Sequence, residues 1–347
     1  MKYKSIQVSR HGGPEVLQVV EKDLRPPAAG EVRIKVLAAA VSRPDVTVRR
    51  GEALYSGTPL GQKLPFVPGY AVIGNVDAVG DGVREAVVGE RVGALTVTGG
   101  YTEVLYWRSD RLIPVPAELD PVKAVPLILN YIVAYQVMHR SAKVKPGGTA
   151  LIIGASGGIG TALLQLGQLA GLKMYALASK DKHDTLTQYG ATPIDYRTQD
   201  FVEFIHQREP YGLDAVFDGM TGLNYIRGGL SLLKHGGRLV SYGEPAGFLV
   251  LFRVLWTLMM VNFLPNEKSF SLYGTSFYFL GDKQPFLDDW AALFHLLEEG
   301  KIKPIIARTF PILDAAQANV LLESGQVTGN IVLVAPELLS SATGSCS

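Results

Sequence analysis

Two patterns of hydrophobic positions divide the chain. Up to about residue 123, short runs rich in Val, Gly and Pro alternate with turn sequences such as Gly80-Asp81-Gly82, which is typical of β-structure. Residues 122–142 then predict a helix. From Ala150 onwards, short apolar runs alternate with longer stretches of helical spacing, which predicts a parallel sheet with crossover helices on both faces.

The elements predicted for the second part are as follows. Strands are expected at 150–153, 173–178, 191–194, 215–217 and 237–241, and a last one at 271–274. Helices are expected at 158–170, 182–189, 198–208 and 222–233. Further helices at 285–299 and 313–323 and a strand at 331–334 follow, and the small, polar residues 335–347 predict a frayed tail.

Length and composition limit the possible classes of protein. The 347 residues predict two domains, because a single domain usually has about 100–200. With 47% apolar and 19% charged residues, the chain is not intrinsically disordered. The 33 basic and 32 acidic side chains nearly balance, and no basic stretch predicts a nucleic-acid partner. A lone cysteine, Cys346, and an N-terminus without a targeting pattern predict a cytoplasmic protein.

A glycine-rich turn connects the first strand of the second part to a helix. Residues 154–160 read Gly-Ala-Ser-Gly-Gly-Ile-Gly. In such a turn the glycines let the backbone come close to a ligand, and the free N–H groups and positive end of the helix dipole face an anion. The sequence therefore predicts a site for the diphosphate of a dinucleotide, with contacts from Ala155, Ser156, Gly157, Gly158 and Ile159.

The same turn also fits a second interpretation. Gly154 to Gly158 satisfy G-x-S-x-G, the nucleophile elbow of α/β-hydrolases, with Ser156 as nucleophile and Asp218 and His235 in the required order. The elbow normally follows several strands of its own sheet, however, whereas the preceding 120 residues predict a separate β-domain. We therefore favour the dinucleotide site.

The residues after the next predicted strand bear on the choice of dinucleotide. An enzyme that uses NAD usually has an acidic residue about 20 positions after the turn, which holds the ribose 2′-OH. Here the strand is followed by Ser179, Lys180, Asp181 and Lys182. A hydroxyl and two ammonium groups suit a 2′-phosphate, which favours NADPH, although Asp181 leaves a contact with the ribose of NADH open.

Motifs along nearly the whole chain resemble those of the medium-chain dehydrogenase/reductases, in particular the zinc-independent quinone reductase branch that includes zeta-crystallin-like and vesicle-amine-transport-like proteins. The matching segments are 12–17 (GGPEVL), 39–45 (AAVSRPD), 50–51 (RG), 65–69 (PFVPG), 89–92 (GERV), the glycine turn, 217–219 (FDG), 236–240 (GGRLV) and 328–333 (TGNIVL).

The resemblance implies an α/β fold in two domains. A GroES-like, mostly-β catalytic domain would be split between residues 1–123 and 276–347, around a Rossmann domain with a doubly wound parallel sheet at 124–275. The cofactor, NADPH, would lie in the cleft between them.

The resemblance also implies roles for single residues. Ser179, Lys182 and Tyr196 match positions that contact the 2′-phosphate end of the cofactor, and Asn130 and Gly243 match positions beside the nicotinamide. Asn330 is a further expected cofactor contact.

Departures from the zinc-dependent relatives imply that no metal is bound. Those relatives have a cysteine at about the position of Ser42 and His-Glu where this chain has Tyr70-Ala71, and their structural-zinc cysteines are missing here. Quinone reductases usually have Asn at the position of Ser42 and Thr at that of Val133, so the cofactor pose or substrate preference is expected to differ.

The expected reaction is hydride transfer from NADPH to a hydrophobic small molecule, either a quinone or an α,β-unsaturated carbonyl compound. The cofactor supplies the hydride, and the protein must orient the two molecules and stabilise the developing oxyanion. Tyr55, Ser42 and Tyr70 are the candidate hydroxyls. The alternative is an NADPH-binding, membrane- or vesicle-associated interaction protein of the same fold with weak or no catalysis.

Residues 246–264 form a strongly apolar segment with Arg253 as its only charge. The segment nearly reaches the roughly 20 residues that cross a bilayer, but a spanning helix here would interrupt the Rossmann sheet. We expect a helical flap over a greasy substrate site or a surface that meets a second subunit, which predicts a homo-oligomer such as a dimer. Peripheral contact with a membrane is the alternative.

Overall fold

The computed structural model describes residues 1–58, 61–245, 247–263, 265 and 267–342. The strands are β1 (Lys2–Val8), β2 (Leu17–Asp23), β3 (Glu31–Val41), β4 (Ala71–Val79), β5 (Arg91–Leu95), β6 (Val104–Arg108), β7 (Ile113–Pro114), β8 (Thr149–Ile153), β9 (Lys173–Ala178), β10 (Ala191–Asp195), β11 (Leu213–Asp218), β12 (Leu233–Ser241), β13 (Ser269–Leu272), β14 (Ile306–Pro311) and β15 (Asn330–Val334).

The helices are α1 (Arg43–Arg50), α2 (Pro121–Ala142), α3 (Gly158–Leu169), α4 (His183–Gln188), α5 (Phe201–His206), α6 (Leu223–Leu232), α7 (Phe248–Phe263), α8 (Thr275–Gly281), α9 (Gln284–Glu298), α10 (Ala315–Glu323) and α11 (Pro336–Ala342). Three of them, α1, α8 and α11, were not predicted. The last corrects the expectation of a frayed tail up to residue 342, while residues 343–347, with Cys346, lie outside the described part.

The chain forms two compact units. The first contains Met1–Leu129, Trp290–Gly300 and the chain from Pro304 onwards, and the second contains Asn130–Asp289 and Lys301–Lys303.

A seven-stranded, mostly antiparallel sheet forms the centre of the first unit. Its order is β14-β15-β3-β4-β5-β7, with β6 also paired to β3 and only the β14-β15 pair parallel. Strands β1 and β2 form a separate antiparallel pair. Side chains from both sets and from α1 and α10 share one apolar core, which confirms the predicted GroES-like, mostly-β domain.

A six-stranded parallel sheet forms the centre of the second unit. Its order, β10-β9-β8-β11-β12-β13, is the doubly wound order 3-2-1-4-5-6 when the strands are counted along the chain. This confirms the predicted Rossmann fold. The order reverses between β8 and β11, and ligands of such sheets bind outside the carboxyl ends of the strands at this switch point.

The chain passes from one compact unit to the other after Leu129 and after Asp289, and the domain limits given above stay predictions. Helix α2 runs on from the first unit into the second without a break, so its sequence contains no linker. The Asp289 carboxylate accepts hydrogen bonds from Gln136 (2.8 Å) and Arg140 (2.7 Å), which holds the chain up to Asp289 in the second unit. Lys303 returns there through two 2.8 Å hydrogen bonds with Gln165.

Among the described residues, one helix, α2, is long and apolar enough to cross a membrane by length and composition. Its most apolar window is 78% buried within the protein. It therefore packs as an interior helix.

Candidate functional site

The turn between β8 and α3 has the shape that the glycine pattern predicts. Gly154 has φ +83°, a left-handed conformation that glycine adopts without strain. A Cβ on Gly160 would lie 2.6 Å from the Cα of Ala155 and would collide with the Gly154 carbonyl. Glycine at both positions therefore lets α3 begin directly against the end of β8, at the switch point of the sheet.

The first turn of α3 is suited to an anion. Gly157 is the N-cap, so no side chain satisfies the amide N–H groups of the first turn, and that turn contains no acidic residue. A Cβ on Gly157 would lie 3.6 Å from the Gly154 carbonyl oxygen, an ordinary van der Waals distance, so neighbouring atoms do not crowd this position. All five predicted contact residues, Ala155 to Ile159, lie together here. The diphosphate of a dinucleotide fits this cradle of N–H groups.

The buried carboxylate of Asp218 lies at the end of β11, the strand next to β8 in the sheet. Asp218, the last residue of β11, accepts hydrogen bonds from the Ser241 hydroxyl (2.6 Å) and from the N–H groups of Met220 (2.9 Å) and Thr221 (3.1 Å). Burial raises the pKa of Asp218. The bonds fix the loop after β11 to the end of β12, beside the glycine turn.

The Asp218 loop also explains why glycine stands at the predicted nicotinamide position, Gly243. A Cβ there would lie 2.6 Å from Thr221 Oγ1 and would meet the Gly219 carbonyl. Thr221, which sequence reasoning did not single out, is buried with φ +49°. Within the described residues its hydroxyl has no hydrogen-bond partner. A β-branched residue with positive φ is a signal that only the structure reveals.

The hydrolase interpretation of the turn does not agree with the geometry. Asp218 is fully engaged as described above, and His235 is an exposed residue whose Nδ1 lies 3.0 Å from the Glu267 carboxylate. The expected order of Ser156, Asp218 and His235 along the chain thus brings no catalytic triad together.

Polar residues collect after β9 and β10, which are neighbours in the sheet. The Lys182 ammonium lies 3.1 Å from the Asp181 carboxylate, and the Ser179 hydroxyl also bonds that carboxylate, which lowers the pKa of Asp181. Tyr196 is exposed, and the Arg197 guanidinium lies 5.7 Å from the centre of its ring. Adjacent parallel strands end at one edge, so the predicted Ser179, Lys182 and Tyr196 share it.

Two further predicted contacts are amides. Asn130 is buried in α2 within the second unit. Asn330 belongs to the first unit, where it is also buried, and its Nδ2 donates a 3.0 Å hydrogen bond to the Ile305 carbonyl. The Asn330 amide thus helps to hold β15 beside the start of β14.

In the first unit, a buried carboxylate accepts hydrogen bonds from one of the candidate hydroxyls, that of Ser42, and from neighbouring groups. Asp45 Oδ2 accepts hydrogen bonds from the Ser42 hydroxyl (2.6 Å), the Ser42 N–H (2.8 Å) and the Tyr101 hydroxyl (3.0 Å), and Oδ1 accepts one from the Gly69 N–H (3.1 Å). The Ser42 proton is therefore directed at Asp45. Sequence reasoning missed Asp45 and Tyr101, although Ser-x-x-Asp before a helix is a recognisable capping pattern.

Burial dominates the electrostatics of this cluster. It raises the pKa of Asp45 to about 6 from the ordinary 3.8, against the lowering effect of the hydrogen bonds. It also raises the pKa of Tyr101, and the neighbouring Asp45 carboxylate adds to that effect. Gly69 has φ +109°, and a Cβ there would lie 2.6 Å from the Tyr101 ring, so the cluster depends on glycine at this position.

The two candidate tyrosines differ in exposure. Tyr70 is 9% exposed, and its carbonyl accepts the N–H of Thr96 at 2.8 Å. Tyr55 is half-buried and packs against the core of the first unit from the turn after α1. Of the three candidate hydroxyl residues, Tyr55 is thus the one most open to solvent.

Within the described ranges, no three His, Cys, Asp or Glu side chains come together as a metal site would require.

Comparison with known proteins agrees with this architecture. The family profile described as "Alcohol dehydrogenase GroES-like domain" matches residues 28–117, and the profile described as "Zinc-binding dehydrogenase" matches residues 189–333. Human quinone oxidoreductase is 31% identical over 343 residues, which cover 95% of this chain and 97% of that protein. The human synaptic vesicle membrane protein VAT-1 homolog is 30% identical over 336 residues, or 93% and 84% of the two chains.

A solved structure also has this fold. A mycobacterial protein complexed with NADPH is 25% identical and superimposes with a TM-score of 0.80, over 96% of this chain and 99% of the other.

Proposed function

Because the chain belongs to the medium-chain dehydrogenase/reductase superfamily and is an oxidoreductase of its quinone oxidoreductase branch, we propose that it transfers hydride from NADPH to a quinone or an α,β-unsaturated carbonyl compound. The observation that carries the proposal is the cradle of N–H groups at the switch point of the parallel sheet. The family uses a nicotinamide cofactor, and NADPH is what the mycobacterial relative binds.

The residues after β9 and β10 support NADPH over NADH. Lys180, Lys182 and Arg197 are three cations in the segments that follow these strands, and the Asp181 carboxylate pairs with Lys182. A 2′-phosphate would receive charge-assisted hydrogen bonds from such groups, and the Ser179 hydroxyl adds a donor. The ribose 2′-OH of NADH would gain much less from them.

The proposed chemistry needs no metal. Ser42 and Tyr70 stand where zinc-dependent relatives have a cysteine and a histidine, and a hydroxyl and a phenol are poor substitutes for thiolate and imidazole as zinc ligands. When bound, the reduced nicotinamide supplies two electrons and a proton as hydride. The acceptor then carries negative charge on its oxygen, and it must take up a proton from a hydroxyl group or from water.

Tyr55 is the proposed donor to that oxygen. Its side chain is the most accessible of the three hydroxyl candidates, whereas the Ser42 proton is already directed at Asp45. A phenol can stabilise an oxyanion by donating a hydrogen bond, and it can pass on its proton.

A turnover screen tests the proposal. Purified protein is mixed with NADPH or NADH and a panel of quinones and enones, and cofactor oxidation is followed by its absorbance. We expect oxidation that depends on the acceptor and is faster with NADPH. Tight NADPH binding without turnover across the panel would instead support the second candidate, an interaction protein of the same fold, which the similarity to the synaptic vesicle membrane proteins favours.

A further inference from the structure

A groove lies between helices α6 and α7 of the second unit. Its lining residues are Leu223 and Arg227 of α6 and Phe252, Arg253, Trp256 and Thr257 of α7. Its volume is about 580 Å³, within the ~300–1,000 Å³ of small-molecule sites. The groove therefore has room for a small molecule, and it presents charged and apolar side chains next to each other.

Both charges of the groove are positive. Arg227 is the only charged residue of α6 and Arg253 is the only charged residue of α7, and both line the groove. In the described part of the chain, neither guanidinium forms an ion pair with an acidic side chain. Two such groups beside one space attract an anion, and a guanidinium can donate two parallel hydrogen bonds to a carboxylate.

The α7 side of the groove is fixed to the second unit. Val254 is fully buried, and Val250 and Leu258 pack with it against the core. Asn262, near the end of α7, donates a 2.8 Å hydrogen bond to the Phe270 carbonyl and accepts a 3.0 Å bond from its N–H, which attaches the helix to β13. The helix that carries half of the groove is therefore held in place without a ligand.

A row of exposed apolar side chains runs along α7 from the groove. Phe252 is 64% exposed and Trp256 55%, and Met260 (40%) and Phe263 (84%) continue the row at helical spacing. This face of α7 is uncovered, although a helix that is hydrophobic all round is normally buried all round. The row is about 16 Å long at 1.5 Å per residue, which gives a hydrocarbon chain a continuous apolar surface.

We propose that the groove binds a single-chain amphiphile with an anionic head group, such as a fatty acid. The head group lies between Arg227 and Arg253, and the hydrocarbon chain follows the row from Trp256 to Phe263. The Thr257 hydroxyl already donates its proton to the Arg253 carbonyl (2.8 Å), so the guanidiniums are the donors that recognise the head group. Contact with the row removes the chain from water, which stabilises the complex. The proposed hydride transfer does not require this ligand.

A membrane surface is another source of anionic lipid, but the groove fits it less well. Helices that lie in a membrane interface typically carry many Lys and Arg on their polar face. Here α6 and α7 contribute one cation each, and both cations line a groove. Such a site suits one head group better than an extended surface of many.

Calorimetric titration with decanoate tests the site, and decanol is the uncharged ligand of equal chain length. We expect decanoate to bind and decanol to bind about tenfold more weakly or less, because the charge-assisted hydrogen bonds are lost. Arg227→Gln and Arg253→Gln should each weaken decanoate binding about tenfold. Arg84→Gln, at an exposed position in the first unit, is the control and should not. Absence of decanoate binding, or wild-type affinity in Arg227→Gln/Arg253→Gln, overturns the proposal.

Quenching of tryptophan fluorescence locates the bound fatty acid. The chain has three tryptophans, of which Trp256 lines the groove and Trp290 is buried. We expect α-bromodecanoate, whose bromine lies beside the carboxylate, to quench the emission of the wild-type protein. Trp256→Phe should lose this quenching and still bind decanoate, whereas Trp107→Phe, in the first unit, should be quenched like the wild type. Quenching that persists in Trp256→Phe would place the fatty acid elsewhere and overturn the site.

Flotation with vesicles of anionic phospholipid tests the membrane surface. We expect the wild-type protein to stay in the soluble fraction. Flotation that is lost in Arg227→Gln/Arg253→Gln, in a protein that does not bind decanoate, would assign the groove to a membrane and contradict the proposed ligand.

Discussion

The hydroxyl of Ser42 donates a 2.6 Å hydrogen bond to the carboxylate of Asp45, which is enclosed in the first unit. This bond directs the Ser42 proton into the protein interior. It also identifies Asp45 as a buried ionisable group whose charge affects stability.

Asp45 is expected to make stability depend on pH. Its pKa of about 6 in the folded state is above the ordinary 3.8, so the folded protein binds more protons between these values. The contribution of Asp45 is therefore fully present below pH 4 and lost as the pH rises through 6, by up to roughly 3 kcal/mol. Denaturant unfolding from pH 4 to 7 should show this loss in the wild type relative to Asp45→Asn. Parallel stability curves for the two proteins would contradict the prediction.

Gly157→Asp is expected to prevent cofactor binding without unfolding the protein. It places a carboxylate above the first turn of α3, where the diphosphate is proposed to bind, and should weaken NADPH binding by about 100-fold or more. Gly157→Ala is the control, because its Cβ would have no neighbour closer than 3.6 Å. Calorimetric titration and melting curves measure both. Tight binding by Gly157→Asp would rule out the diphosphate site.

Lys182→Ala is expected to reduce the preference for NADPH. The loss of one charge-assisted hydrogen bond to a phosphate should raise KM for NADPH about tenfold and leave that for NADH unchanged. Lys173→Ala is the matched control, since Lys173 lies at the opposite end of β9 and pairs with Glu209 at 2.6 Å. Steady-state kinetics with NADPH and with NADH give the KM of each variant for both cofactors. An equal effect of Lys182→Ala on NADPH and NADH would argue against a 2′-phosphate contact.

Tyr55→Phe is expected to lower kcat about 100-fold, because the acceptor oxygen loses its hydrogen-bond donor. Unfolding by heat should be nearly unchanged, since the ring that packs on the core is retained. Tyr70→Phe, measured alongside, should keep kcat. If Tyr70→Phe loses turnover while Tyr55→Phe does not, the donor has been assigned to the wrong tyrosine.

Glu323→Gln is expected to destabilise the protein by about 3 kcal/mol or more. Glu323 pairs with Arg49 and Arg50, and the Arg49 side chain is 1% exposed, so the change leaves a buried cation without its counter-charge. Glu337→Gln is the control, because its 2.8 Å pair with Lys35 is solvent-exposed and should contribute less than about 1 kcal/mol. Urea unfolding measures the free energy of unfolding of both variants. A similar decrease in the two would show that the Glu323 pairs contribute no more than the exposed pair.

Much of the second unit could be predicted from local sequence. The strand at 173–178 and the glycine turn at 154–160 lie where expected, because apolar runs, helical spacing and turn glycines act over a few residues. The role of a single residue is harder to predict when its side chain can serve in several ways, as a serine hydroxyl can. Ser42 was considered for its hydroxyl, yet in the structure it bonds Asp45 at the start of α1.

The sequence by itself determined the alternation of strands and helices, the glycine-rich turn and the polar residues after the next strand, since each depends on neighbours along the chain. Only the tertiary structure decided that Tyr101 meets Asp45 and that one face of α7 remains uncovered. Such contacts join residues far apart in sequence, and strand order and packing, rather than local spacing, bring them together.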